Sequence, residues 1–175
     1  RLGIWHVKWE LEDLSFRFLD PEAYQRIAAM LDERRPERES FIDEAIALLR
    51  RELDAAGLKA EISGRPKHIY SIWNKMRLKS LDFADLRDLR ALRVLVDDVK
   101  DCYTALGVVH NLWQPIPREF DDYISRPKEN AYRSLHTAVA GPDGRALEVQ
   151  IRTHDMHRDA ELGVAAHWRY KEGAG

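Results

Sequence analysis

The apolar residues of this chain keep a helical period from Leu2 to about Gly57 and then change to a mixed, partly alternating pattern. A period of 3.6 buries one stripe and a period of 2 buries one face, so the change predicts an all-helical lead-in followed by α/β organisation. In the lead-in the pattern predicts an opening helix to Leu19. Asp20 then serves as N-cap with Pro21 at the first position of a helix to about Arg35, and a third helix follows Pro36 and ends at Gly57. Beyond it we expect a short strand at Leu58 to Ser63, a basic helix, a β-branched strand from Leu92 to Val96 and a helix across Asp98 to Leu112. A Pro- and Asp-containing loop from Gln114 to Asn130 comes next. Two strands, Ser134 to Ala140 and Ala146 to Thr153, are joined by the hairpin-forming GPDGR, and a helix from about His154 to Lys171 closes the pattern.

With 175 residues, 45% of them hydrophobic and 33% charged, the chain can bury one good core with a smaller appended piece. A net charge of −2 and a pI near 6.4 argue against a dedicated nucleic-acid binder, DNA included, so basic clusters must be local. The single cysteine, Cys102, has no internal disulfide partner. No apolar run nears the roughly 18 residues of a membrane span and no signal-peptide pattern opens the chain, from which we expect a cytoplasmic protein without membrane partners. The first residue is not methionine and both ends lie in helical patterns, so we expect a part of a longer protein.

The chemistry concentrates in three places. The segment SGRPKHIYSIWNKMRLK, Ser63 to Lys79, carries five Lys or Arg and no acid at the opening of the basic helix. With Pro66 at the first helical position, the free N–H groups and positive dipole end would lie beside Gly64 and Arg65, an anion site. At helical spacing Lys67, Ser71 and Lys75 share one face and Ile69, Ile72, Trp73 and Met76 another; a solvated basic helix is the plain alternative. In ALEVQIRT, strand alternation puts Glu148, Gln150 and Arg152 on one face and Leu147, Val149 and Ile151 on the other, as in a half-open site or an ordinary amphipathic strand. Asp88, just before the β-branched strand, is a natural second carboxylate, with Asp85, Asp97 and Asp98 as rivals; two carboxylates near a phosphate cradle suit Mg²⁺. The loop DDYISRPKENAYRSLHT adds Arg126, Lys128 and Arg133 as anion contacts, Asn130 as a hydrogen-bonding group and Tyr132 as a ring for stacking a base or for packing. His154, His157 and His167 lack the cysteines and spacing of a zinc site, and His167 and Trp168 read as packing residues.

GRPKHIYSIWNKM, DLRALRVLV, FDDYISRPKENAYRSLHT, LEVQIRT and DAELGVAAHWRYKEG, in that order, resemble the synthetase domain of the RelA/SpoT family, over about Leu58 to Gly173. The lead-in, residues 1–57, resembles the segment that joins this domain to a preceding hydrolase-type region, and the overall tone is similar to the RelA branch. The resemblance implies a nucleotidyltransferase-like fold, a mixed β-sheet flanked by helices, over 58–175. It implies transfer of the β,γ-pyrophosphate of ATP to the 3′-OH of GDP or GTP to make (p)ppGpp. Carried over residue by residue, Arg65, Lys67, Ser71 and Lys75 would bind ATP, with Arg77 a further candidate, and Asp88 would hold Mg²⁺. Glu148 would be the second metal contact or the general base, Tyr132 would stack on guanine, and Lys128, Asn130, His136, Gln150 and Arg152 would line the acceptor side. His68 and Arg93 are additional candidates.

The family usually reads Asn-Gly-Tyr where this chain has Asn130-Ala131-Tyr132. A positive φ there would cost an alanine on the order of 1 kcal/mol and could tilt the tyrosine. The RLKS run, Arg77 to Ser80, bears on acceptor preference in the family without deciding GDP against GTP here. Ribosome and tRNA engagement is expected to belong to regions absent from this chain, and (p)ppGpp hydrolysis is not expected of it. Two other classes compete with the transferase: a catalytically silent or autoinhibited nucleotide-binding domain, and an RNA-binding module, which the net charge opposes.

Overall fold

A computed structural model describes residues 4–83, 86 and 89–162, with side chains from residue 8 onward. The lead-in forms α1 (Ile4–Leu19), α2 (Pro21–Glu33) and α3 (Arg35–Ala55). Asp20 caps α2 as its sequence position predicts, its side chain accepting the Ala23 N–H at 3.1 Å with Pro21 at the first position. Then come β1 (Glu61–Gly64), α4 (Ile69–Lys79), β2 (Ala91–Val96), α5 (Val99–Leu112), β3 (Gln114–Asp122), β4 (Leu135–Ala140), β5 (Ala146–Thr153) and α6 (His154–Leu162). Asp98 caps α5 by accepting the Asp101 N–H at 2.8 Å.

The five strands form one mixed sheet in the order β1-β2-β5-β4-β3, with β2 and β5 parallel and the other neighbours antiparallel. One face is the main core. Leu92, Val94, Leu147, Val149 and Ile151 meet Ala45, Leu49 and Leu53 of α3 and Cys102, Ala105 and Val109 of α5. Burial pushes the Cys102 thiol up to about 12, so it is an inert core group. A second, smaller cluster joins Phe16 of α1, Ile27 of α2 and Ile72 of α4 with Phe83 and Leu86.

Two details differ from the sequence reading. Residues 114–122 are not loop but the edge strand β3; its pairing shifts register between Pro115 and Phe120, where Arg118 has φ +65°. Two prolines and a bulge hid the strand, because both break the alternation that marks one. The basic helix starts at Ile69, with His68 as N-cap, so Pro66 and Lys67 precede it. On the lead-in side of Gly57, α3 places Phe41, Ala45, Leu49 and Leu53 in the same core as the sheet.

Candidate functional site

The face of the sheet opposite α3 and α5 carries rows of paired residues, and directly paired residues project to the same side. One row crosses all five strands and is polar throughout: Ser63, Arg93, Gln150, His136 and Asp121. In the next row Glu148 lies between Ala91 and Ala138. Two small neighbours leave the space above the carboxylate open.

Arg65 and Lys67 reach into that space from the segment between β1 and α4. Arg65 Nη1 donates to Glu148 Oε1 at 2.7 Å and Lys67 Nζ to Oε2 at 3.1 Å. The backbone N–H of Arg65 is fixed on the Ala91 carbonyl at 2.8 Å, which continues the β1–β2 ladder and aims the guanidinium. Burial alone would push the Glu148 carboxyl up, but the Lys67 ammonium and Arg65 guanidinium outweigh it and hold it below the usual carboxylate range. Burial lowers Lys67 as well, against the pull of Glu148. Ser71 and Lys75, one turn apart on α4, face the same cleft, about 280 Å³, together with Trp9, His68 and Arg93. A site with this many cations around one ionised carboxylate can exchange carboxylate for phosphate oxygens and free the carboxylate to accept a proton.

Beside it is an aromatic and amide network. Arg93 Nε donates to Gln150 Oε1 at 2.9 Å, Gln150 Nε2 donates to the Tyr132 hydroxyl at 2.7 Å, and that hydroxyl is 2.7 Å from His136 Nε2. With the hydroxyl already accepting from Gln150, its own O–H is free to donate to His136 Nε2, so the imidazole carries its proton on Nδ1. Burial pushes His136 down to about 4, which keeps it neutral for that role. Tyr123 packs edge-on against both Tyr132 and His136, and Lys128 Nζ lies 4.5 Å from the centre of the Tyr123 ring and 5.3 Å from that of Tyr132.

Of the residues singled out in the sequence, the structure brings Arg65, Lys67, Ser71, Lys75, Arg93 and Glu148 to one cleft, with Tyr132, His136 and Lys128 beside it. Gln150 and Arg152 are only 2% and 3% exposed, so they support the tyrosine from below rather than line open space. Arg152 also donates from Nη2 to His157 Nδ1 at 2.6 Å, and burial lowers its pKa to about 10. Asn130 spends its side-chain oxygen on the Tyr132 N–H at 3.2 Å, a turn-forming bond. Arg77 stands apart: its guanidinium lies 4.8 Å from the Trp73 ring centre and lines a different cleft, between α1 and α4. Ser80 of the RLKS run ends α4 in the left-handed conformation, φ +50°. Ala131 has φ +65°, the condition under which the alanine is costly. Asp85, Asp88, His167 and Trp168 lie outside the described residues.

The sequence reading missed Trp9 and Asp13. Asp13 Oδ1 accepts the Tyr70 N–H at 2.9 Å, so one of the first-turn donors of α4 expected to hold a ligand anion is taken by a carboxylate of α1. No spacing rule signals a contact between residues 57 positions apart. Tyr123 lies in the basic loop singled out in the sequence, and His157 in the HDMH run weighed there as a zinc site; neither spacing signals its contact with Tyr132 or Arg152.

Comparison with known proteins gives a consistent picture. The chain is 58% identical over 174 residues to the GTP pyrophosphokinase of Escherichia coli K12, covering 99% of this chain and 23% of that protein. It is 53% identical over 175 residues to the bifunctional (p)ppGpp synthase/hydrolase RelA of Mycobacterium tuberculosis, covering 100% of this chain and 24% of that one. The chain thus spans about a quarter of the length of these curated relatives. Among solved structures, small alarmone synthetase 1 of Bacillus subtilis bound to its product pppGpp shares the fold, with a TM-score of 0.61 and 24% identity over 83% of each chain. A GTP pyrophosphokinase family protein from Streptococcus pneumoniae gives a TM-score of 0.53 and 26% identity over 89% of this chain and 77% of that one. Residues 64–175, which hold every cation and carboxylate of the cleft described above, match the region found in RelA/SpoT proteins, and the chain belongs to that family.

Proposed function

We propose that the chain transfers the β,γ-pyrophosphate of ATP to the 3′-OH of GDP or GTP, making ppGpp or pppGpp. The observation that carries this reading is Glu148, ionised between Arg65 and Lys67 at 2.7 and 3.1 Å, in the row beside the Tyr132 network. The cations hold the donor polyphosphate, and once they turn to phosphate oxygens the carboxylate is free to take the proton of the 3′-OH. The 3′ oxygen forms a bond to the β-phosphorus as the bond from that phosphorus to the α–β bridging oxygen breaks, and AMP leaves. Tyr132, anchored at its hydroxyl by Gln150 and His136, presents a fixed ring for guanine. Positioning and charge neutralisation supply most of the rate in such transfers.

The donor set suits a metal that arrives with the phosphates. Among the described residues there is no group of three or more acidic, His or Cys side chains that could cage an ion, and Mg²⁺ usually takes one or two carboxylates plus phosphate oxygens and water. Glu148 and Asp88 would hold it, and it would supply charge neutralisation on the transferred group. No described helix is long and apolar enough to cross a membrane; we place the protein in the cytoplasm. Ribosome and tRNA contacts would belong to other regions of a longer protein.

A second reading, a nucleotide-binding domain without turnover, is favoured by one observation, Ala131 at φ +65° next to Tyr132. Incubation with ATP, Mg²⁺ and either GDP or GTP, with Glu148→Gln in parallel, separates them. The transferase reading expects ppGpp or pppGpp from the parent chain and loss of product in Glu148→Gln with nucleotide binding retained. Binding without product in the parent chain establishes the silent domain instead.

A further inference from the structure

The helical lead-in lies ahead of the residues matched to the family, yet it touches the cleft. Three contacts define how. Asp13 Oδ1 accepts the Tyr70 N–H in the first turn of α4 at 2.9 Å. Its other oxygen lies 3.7 Å from His68 Nδ1. Trp9, one turn earlier on α1, stacks on the His68 ring with centroids 4.8 Å apart and planes at 29°. His68 is the N-cap residue of α4, and its own side chain makes no capping bond. The missing cap is therefore supplied from α1, and Trp9 and His68 both line the cleft that holds Lys67, Ser71 and Lys75.

The segment from Arg65 to His68 lies between β1 and α4 and belongs to neither element, so its path depends on its two ends. One end is pinned to β2 through the Arg65 N–H on the Ala91 carbonyl at 2.8 Å. The other end is the start of α4, which Asp13 fixes. Lys67 sits between these anchors, and Ser71 and Lys75 follow the axis of the helix that Asp13 starts.

We propose that Asp13 is a positioning residue for the donor nucleotide: acting through the first turn of α4 and His68, it sets where Lys67, Ser71 and Lys75 meet the polyphosphate, so α1 is a working part of the donor site. This rests on the transferase reading above. With the backbone donor at Tyr70 taken, that N–H is not available to phosphate, and the Lys67, Ser71 and Lys75 side chains carry more of the contact.

The test measures the affinity of a non-hydrolysable ATP analogue and of GDP, separately, by calorimetry for the parent chain, Asp13→Ala and Asp13→Asn. Asp13→Ala is expected to weaken the ATP analogue by about fivefold, the factor set by one lost helix cap, with GDP affected less than about twofold. Asp13→Asn, which keeps an acceptor for the Tyr70 N–H, is expected to restore ATP-analogue binding to within about twofold of the parent. Equal losses for both nucleotides, no loss, or tighter ATP binding in Asp13→Ala would overturn the proposal. Hydrogen exchange at the Tyr70 amide of the parent chain gives a readout that needs no variant. Protection is expected with and without the analogue, and loss of protection on binding would make Asp13 a competitor of phosphate rather than a positioning group. A parent chain that binds GDP but no ATP analogue would refute the donor-site reading itself, whereas parent binding left unchanged in Asp13→Ala refutes this inference alone.

Discussion

Replacing Ala131 by glycine should stabilise the protein. Ala131 has φ +65° and is exposed, so its Cβ crowds the local backbone without burying much apolar surface in return. The conformation is imposed from both sides. The Ala131 N–H donates to the Lys128 carbonyl at 2.8 Å, the Lys128 N–H to the Tyr132 carbonyl at 3.1 Å, and the Tyr132 N–H to Asn130 Oδ1 at 3.2 Å. A left-handed alanine costs about 1–2 kcal/mol, and glycine gives back roughly 0.5–1 kcal/mol in the extra freedom of the unfolded chain. The net gain is about 0.5–1 kcal/mol, a rise of roughly 1–4 °C in Tm for a domain of this size. Thermal melts followed by circular dichroism, with urea titrations to check that the midpoint moves and the slope does not, would measure it. Because Tyr132 is also held at its far end by Gln150 and His136, guanine-nucleotide affinity should change by less than about twofold. An unchanged or lower Tm would refute the reasoning, since it would mean that the turn carries no strain for glycine to relieve.

Gln150→Leu should cost about 1–3 kcal/mol, because it removes the partner of the part-buried Arg93 Nε and one of the two partners of the Tyr132 hydroxyl, and it should weaken GDP binding more than ATP binding; chemical denaturation and calorimetry check the two parts. Stability should fall as pH drops from about 6.5 to about 4. His136 stays neutral when folded down to about 4 but protonates near 6.5 when unfolded, so the unfolded state binds the extra proton in that window, by up to roughly 1.4 kcal/mol per pH unit. His136→Gln, measured across the same range by urea unfolding, should flatten that slope. Lys67→Ala should release Glu148 from one of its two cations and raise the pH at which its carboxyl titrates, read by carboxyl NMR, while weakening the ATP analogue about tenfold, the usual scale of a lost charge-assisted hydrogen bond.

Much of the site was legible because its groups sit on local patterns. Strand alternation alone put Glu148, Gln150 and Arg152 on one face, and the structure keeps them there. The cap at Asp20, the helix at Asp98 and the hairpin between β4 and β5 follow from neighbours in sequence, and each is found where its signal lies. The alternation could not say that Gln150 and Arg152 would be covered, since coverage comes from elements elsewhere in the chain. Residues 114–122 were misread for a local reason: prolines and a register shift erase the period that marks a strand.

What the sequence determined by itself, then, is the order of the helices and of every strand but β3, the inventory of cations and carboxylates, and the side of each element on which they project, because all of these depend on residues within a few positions of one another. Only the tertiary structure decided their pairing. Glu148 meets Arg65 and Lys67 across 83 and 81 positions because β2 and β5 lie side by side in parallel, and Asp13 meets Tyr70 because α1 packs along α4. Such contacts are set by how whole elements bury their apolar faces against each other, as Phe16 does against Trp73 at 4.7 Å, and no local spacing encodes that choice.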